Sequence, residues 1–263
     1  GDLTNCDQED EWQRVSEAFS RLDGVLPNVV TVGNHDLGKG HIGGSRATGF
    51  HRIMTRGRNR LNDQAMLSSW RGGELENAAW KLEIGGVEWL ILALEFGPRE
   101  GAVAWADGVL ADHSMTPTLM VTHEWIDHLS TLEHGEALRS RPETHNSPYA
   151  YGIADEAGGV HCGEELWERL VRRYSQIRAV FNGHYRPYGR DADGRVVPVT
   201  GLASARRVDQ HFDGSQVEQL LFNAQWERRG GDGWMLFVEP SVRGLLKVGS
   251  YSPVAGVVDA VKR

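Results

Sequence analysis

The sequence has little cysteine and no long apolar run. Its 263 residues include two cysteines, Cys6 and Cys162, which are too few for a disulfide framework or a zinc knuckle but permit one bridge. The longest apolar runs, such as residues 89–94, fall far short of the roughly 20 residues that cross a bilayer. We therefore expect no membrane span.

The sequence also has no surplus of basic residues. It contains 28 lysines and arginines and 36 aspartates and glutamates, which gives a net charge of −8. Such a surface lacks the positive field that grips a phosphate backbone, so we expect no bulk nucleic-acid binding. A composition of 40% hydrophobic and 24% charged residues is that of a soluble globular protein. The compartment stays open between the cytoplasm and export after loss of an N-terminal segment. The oligomeric state, and whether Gly1 is the natural start, also stay open.

The spacing of apolar residues predicts strands that alternate with helices. Before Arg195, strands are predicted at residues 28–32, 78–84, 87–94, 117–122 and 177–181, and helices at residues 7–22, after residue 99 and at residues 164–174. After Arg195, strand-like runs at residues 195–199, 217–226, 234–239 and 245–251 follow one another without a helix. This pattern predicts an α/β fold with two sheets face to face, parallel-rich before Arg195 and antiparallel after it. We expect one domain over residues 1–263, with the role of the tail 254–263 left open.

Polar side chains stand at four places where strands are predicted to end: Asp2, Asn34 with His35, His123 and His184. A carboxylate, a carboxamide oxygen and imidazoles suit a divalent transition metal, and the ends of neighbouring strands can meet at one point. Each histidine taken alone is more often a capping or surface residue. The combination favours a metal site.

Residues 38–62 are rich in glycine, arginine and serine and have no hydrophobic period, which predicts a loop that lines the site. His41 and His51 lie in this segment, and His145 and His161 lie in later loops. Because loop histidines are usually solvated, these four stay unassigned.

Four motifs follow one another in a recognisable order: Gly1-Asp2, Gly33-Asn34-His35-Asp36, Thr122-His123 and Gly183-His184. This ordered set resembles the signature of the calcineurin-like metallophosphoesterases, and the resemblance covers nearly the whole chain. Residues 94–99, 223–225 and 230–234 are similar to a bacterial branch of that family. The resemblance implies a four-layer α-β-β-α sandwich of two mixed sheets and the activity of a phosphoesterase, a hydrolase.

The resemblance also implies a ligand set for zinc, manganese or iron, with one or two ions bound. Asp2 would bridge two metals, and Asn34, His123 and His184 would complete the shell of the second metal. A metal-bound hydroxide would attack the phosphorus of a small phosphate ester.

For His35, the third residue of Gly33-Asn34-His35-Asp36, the resemblance implies a catalytic role and not the role of a metal ligand. His35 would be the general acid for the leaving group, and Asp36 would orient its imidazole.

Two departures from the family pattern bear on the first metal. The family's Asp-x-His strand does not occur ahead of Gly1, and Arg186 stands where the family often has a last histidine. Arginine stays protonated and cannot coordinate a cation. The second metal site is thus complete and the first is doubtful, so Arg186 is interpreted either as a substrate-binding residue or as an ordinary surface arginine. With one cation, phosphodiesters are expected to be favoured over monoesters.

The missing strand would leave its neighbours unpaired, so another segment is expected to cover the gap. Residues 254–261 are an apolar run that fits a replacement strand or a partner's swapped strand, and fits a disordered or packed tail better.

Three functions stay open. The first is a metal-dependent phosphoesterase, the second is a relic of the family that binds phosphate or a partner without turnover, and the third is a protein whose metal is purely structural.

Overall fold

A computed structural model describes residues 1–259 of the chain. The strands in this range are β1 (Met66–Ser69), β2 (Ala78–Ile84), β3 (Val87–Ala93), β4 (Thr118–Val121), β5 (Ile177–Asn182), β6 (Tyr188–Arg190), β7 (Val196–Pro198), β8 (Ala203–Gln210), β9 (Gln216–Asn223), β10 (Met235–Glu239), β11 (Lys247–Ser252) and β12 (Val257–Asp259). The α-helices are α1 (Glu9–Ser20), α2 (Phe50–Ile53), α3 (Arg60–Ala65), α4 (Glu100–Asp112), α5 (Leu129–Glu133), α6 (Gly163–Arg169) and α7 (Arg228–Gly231). Short 3₁₀ turns lie at Asn34–Asp36, Pro148–Ala150, Gly152–Asp155 and Val171–Arg173.

The largest sheet is mixed and has seven strands in the order β1-β2-β3-β4-β5-β9-β8. Its central strands β3, β4, β5 and β9 are parallel, and the strands at both edges are antiparallel to their neighbours. Two smaller antiparallel sheets have the orders β10-β11-β12 and β6-β7. The predicted α/β class is confirmed.

Different elements pack on the two faces of the seven-stranded sheet. Leu92 of β3 and Met120 of β4 are fully buried in a cluster that includes side chains of α4 and α6. On the opposite face, Ile91 and Leu119 belong to a cluster against which Leu236 of β10 packs. Because neighbours along a strand point to opposite faces, each central strand contributes to both cores.

Several predicted elements agree with the structure. Helix α1 lies within the predicted segment 7–22 and buries Trp12 and Val15. Strands β2 and β3 form the predicted hairpin around Gly85 and Gly86, both of which have a positive φ that a tight turn requires. No helix in residues 1–259 is apolar over a length that would cross a bilayer. Both cysteines are free, so the permitted bridge is not formed.

The predicted strand at residues 28–32 is wrong as a sheet strand. The segment has no assigned secondary structure, and the backbone N–H groups of residues 29–32 have no backbone acceptor. It is held instead by the Thr31 hydroxyl, which donates to the Leu94 carbonyl at 2.8 Å, and by the Phe96 amide, which donates to the Val32 carbonyl at 3.2 Å. β-Branched residues favour extended backbone, but that preference does not supply a neighbouring strand.

The predicted division of the sheets at Arg195 is also wrong. Strand β9 follows Arg195, yet it lies parallel to β5 inside the seven-stranded sheet. Strand β8 was not expected, because its run Arg206-Arg207-Val208-Asp209 is strongly polar. The segment 38–62, predicted as a loop, contains the short helix α2 and the first residues of α3.

The C-terminal run does not replace a strand beside residues 28–32. Its residues Val257–Asp259 form β12, which pairs with β11 on the side away from β10. Residues 260 and 261 of the predicted run lie outside the described residues.

Candidate metal centre

The candidate centre is formed where separate segments end beside one another. His123 follows β4 and His184 follows β5, and these two parallel strands are neighbours in the sheet. Asn34 begins a 3₁₀ turn after the segment 28–32, and Asp2 lies against it. Gly33 allows this close approach, because a Cβ at Gly33 would collide with the Asp2 carboxylate.

The donor atoms of these four residues converge. Asn34 Oδ1 lies 3.1 Å from His123 Nε2 and 3.0 Å from His184 Nδ1. His123 Nε2 lies 3.2 Å from His184 Nδ1 and 3.2 Å from Asp2 Oδ2. Ligands at about 2.0 Å from a tetrahedral metal are about 3.3 Å apart, so this spacing fits a transition metal.

A backbone carbonyl determines which nitrogen of His184 faces the cluster. His184 Nε2 lies 2.8 Å from the Asn146 carbonyl, which can only accept, so Nε2 carries the hydrogen. Burial, with the charge of His123, lowers the pKa of His184 to about 3. The imidazole is therefore neutral at pH 7, and Nδ1 presents a lone pair to the cluster.

This assignment leaves acceptors facing one another. Asn34 Oδ1 and His184 Nδ1 are both acceptors at 3.0 Å, and the hydrogen that His123 Nε2 can carry cannot serve them and Asp2 together. A cation between these atoms would remove the repulsion between their lone pairs. The donor set is thus chemically suited to a divalent metal ion.

Asp2 supplies a negative charge to the centre. Burial raises the pKa of Asp2, but the charge and hydrogen bond of His123 outweigh that effect and hold it well below its usual range. Its Oδ1 accepts the His35 amide at 3.0 Å, which leaves Oδ2 directed at His123. Asp2 itself has a positive φ of 55°.

The structure corrects the predicted role of Asp36. Its carboxylate accepts the backbone amides of Thr4 and Gly33, each at 2.8 Å, and therefore holds the turn rather than the imidazole of His35. His35 Nδ1 instead lies 2.7 Å from the Asn5 carbonyl. The Asn5 carbonyl thus orients the imidazole of His35, which is the role that was predicted for Asp36.

Arg186 lies two residues beyond His184, and its guanidinium stacks on the Trp226 ring at 4.0 Å. Among the described residues it has no carboxylate partner, and its Nε is buried without a hydrogen bond. The structure leaves its role in substrate binding as a prediction.

A cavity of about 660 Å³ lies beside the centre, between the seven-stranded sheet and β10. Asp2, His123 and His184 line one end, and most of the remaining wall is apolar, as at Phe181 and Leu236. Within the described chain, this wall contains no other carboxylate, imidazole or thiol. Among the described residues, the wall of this cavity thus brings together one group of side chains that could hold a cation.

Three features of the centre were not predicted from the sequence. Phe96 packs against both imidazoles, and the Tyr151 hydroxyl lies 3.4 Å from Asn34 Nδ2. The third is the Asn146 carbonyl. Any residue type can present a carbonyl, so no sequence signal could have identified it.

A buried acid lies directly behind the ligands. Glu124 follows His123, and one of its oxygens accepts the hydroxyl of Tyr185, which follows His184. Its other oxygen is buried without a partner. Burial raises the pKa of Glu124 to about 8.

Comparisons with known proteins leave the family open. No family model matches the chain. The chain is similar to the uncharacterized protein YvnB of Bacillus subtilis (strain 168), with 24% identity over 252 residues. That match covers 92% of this chain and 16% of the relative, so the chain spans about a sixth of the relative's length.

We predict that His123→Ala lowers bound zinc by one ion per chain, because it removes a nitrogen donor from the centre. His134→Ala is the matched control, since His134 is exposed and its imidazole lies beside Glu133 rather than beside the four candidate ligands. Zinc per chain, measured by mass spectrometry after dialysis, checks the expectation. Equal zinc in the two variants would contradict it.

We also predict that Glu124 makes the metal-free protein less stable as pH rises from about 5 to about 8. The unfolded acid ionises near pH 4.3, whereas the folded acid keeps its proton to about pH 8, so unfolding releases a proton in this window. The free energy of unfolding should fall by up to about 1.4 kcal/mol per pH unit relative to Glu124→Gln. Urea unfolding with a chelator at three pH values measures the difference, and parallel curves would refute the prediction.

Proposed function

We propose that this protein is a metal-dependent phosphoesterase of the calcineurin-like type that uses one complete metal site. The observation that carries the proposal is the 3.0 Å contact between two acceptors, Asn34 Oδ1 and His184 Nδ1. The order of the sequence motifs, the ionised Asp2 beside them and an open cavity at the same place support it.

The proposal includes the family's four-layer sandwich. Its support is the packing of β10 and β11 on one face of the seven-stranded sheet and of α4 and α6 on the other. The segment 28–32 would belong to the second sheet in that arrangement.

Asp2, Asn34, His123 and His184 would hold the cation. A divalent ion there supplies a Lewis acid for the phosphoryl oxygens and lowers the pKa of water. The neutral imidazole of His184 and the charged carboxylate of Asp2 are already in the protonation states that ligands need. The Asn146 carbonyl keeps His184 Nδ1 directed at the ion.

His35 would protonate the leaving group. The Asn5 carbonyl accepts from Nδ1, which fixes the imidazole and leaves Nε2 to carry the proton that is transferred. His35 is half-buried, and its own amide binds Asp2, so the acid is tied to a metal ligand through one hydrogen bond.

Arg186 would bind the non-reacting phosphoryl oxygens. Its guanidinium is flattened against Trp226 and has no competing carboxylate in the described chain. A planar guanidinium pairs well with two phosphate oxygens.

One observation favours the second candidate, a protein that binds phosphate without turnover. Among the described residues, those that line the cavity include no further set of ligands for a second cation. A zinc-loaded protein that binds phosphate but releases no nitrophenol from a nitrophenyl diester would support that candidate over the enzyme.

We predict that His35→Ala slows hydrolysis of an alkyl phosphodiester by about a hundredfold to ten-thousandfold and leaves metal content unchanged. The loss should shrink for a nitrophenyl leaving group, which needs little protonation. Steady-state rates for both esters test this, with His41→Ala, an exposed histidine, as the control. Equal losses for the two esters would exclude His35 as the acid.

We predict faster turnover of bis-nitrophenyl phosphate than of nitrophenyl phosphate at saturating metal. A monoester carries about one more negative charge at neutral pH, and one cation with Arg186 would offset less of it. Arg186→Ala should weaken turnover of both. A monoester preference that survives Arg186→Ala would overturn the one-metal interpretation.

A further inference from the structure

A second set of donor atoms converges away from the candidate centre, between α2 and the turn that precedes β2. His51, Glu74 and Glu76 each place one donor atom within 4.8 Å of the other two. We propose that these three residues bind a further divalent transition-metal ion, with zinc as the best fit. This proposal does not depend on the phosphoesterase proposal.

The donor atoms have nothing else to bind. Nδ1 of His51 and Oε2 of both glutamates are buried atoms without a hydrogen-bond partner. Glu76 is only 4% exposed, and its Oε2 lies 3.4 Å from His51 Nδ1. Native proteins rarely leave buried acceptors unpaired, so three at one place indicate a missing cation or proton.

The neighbouring arginines lie closer to Glu95 than to Glu76. Arg99 binds both oxygens of Glu95, at 2.9 and 2.8 Å, and Arg46 also binds Glu95, at 3.1 Å. The Arg99 guanidinium is 3.8 Å from Glu76 Oε1, beyond hydrogen-bond distance. Glu95 is thus the closer partner of both arginines. Burial raises the pKa of Glu76 to about 8, so a bound cation would displace a proton from this carboxyl.

His51 is prepared to act as a ligand. Burial lowers its pKa, which favours the neutral imidazole that metals bind. Its ring packs edge-on against Phe50 at 5.9 Å, which limits its rotation. A cavity of about 70 Å³ beside His51 and Glu76 leaves room for an ion with water as the fourth ligand. The charged residues in its wall are Glu76 and Glu95 with Arg46, Arg71 and Arg99.

One imidazole and two carboxylates are a ligand set that zinc commonly takes. A metal here would join α2 to the turn before β2. Its expected role is to stabilise this corner of the fold, because binding to the folded state alone raises stability.

The test removes the candidate centre first, with His123→Ala. This variant should keep about one zinc ion per chain, and zinc should raise its melting temperature. Adding Glu76→Gln should reduce zinc to near zero and abolish the temperature shift. Adding Glu83→Gln, an exposed glutamate on β2, should change neither.

Circular dichroism shows whether each variant is folded. If Glu76→Gln fails to fold, His51→Asn replaces it, because the His51 side chain is 36% exposed and tolerates substitution more readily. Loss of the zinc with His51→Asn would support the proposal. Absence of zinc from His123→Ala, or zinc retained with Glu76→Gln or with His51→Asn, would overturn it.

Discussion

The contact between Asn34 Oδ1 and His184 Nδ1 is the constraint on which the rest of the site depends. With Asn34 Oδ1 on this side, two acceptors lie 3.0 Å apart and repel one another. The Asn146 carbonyl takes the His184 hydrogen, burial holds that imidazole neutral, and the one hydrogen that His123 Nε2 can carry cannot serve both acceptors together with Asp2. Such an arrangement is stable when a cation lies between the acceptors. The electrostatics of these donor atoms therefore favour a cation independently of any resemblance to a family.

The fold explains how residues so far apart in sequence come to share this constraint. Parallel strands β4 and β5 end at the same edge, so the residues that follow them, His123 and His184, meet without long loops. Asn34 and Asp2 come from segments outside the sheet, and Gly33 lets those segments approach. Glu95 follows β3 at the same edge and is paired with Arg46 and with Arg99, whose guanidinium also lies 3.8 Å from Glu76.

Much of the candidate site could be predicted from sequence, because side-chain chemistry and strand ends are both visible there. The proximity of His123 and His184 follows from motifs placed after neighbouring strands, whereas Asn34 follows a segment that is not a sheet strand. The roles of Asp36 and His51 could not be read in this way. Asp36 binds two backbone amides that only the folded turn brings near, and His51 gains its neighbours Glu74 and Glu76 through tertiary contact. The segment 28–32 has strand composition, but pairing depends on a neighbour that its own residues do not specify.

Anomalous diffraction from crystals of the protein grown with zinc, measured above the zinc edge, tests the central claim most directly. The account predicts a strong peak enclosed by Asp2 Oδ2, Asn34 Oδ1, His123 Nε2 and His184 Nδ1. A zinc-containing crystal with no peak among these four atoms, and with Asn34 and His184 still in contact, would contradict it.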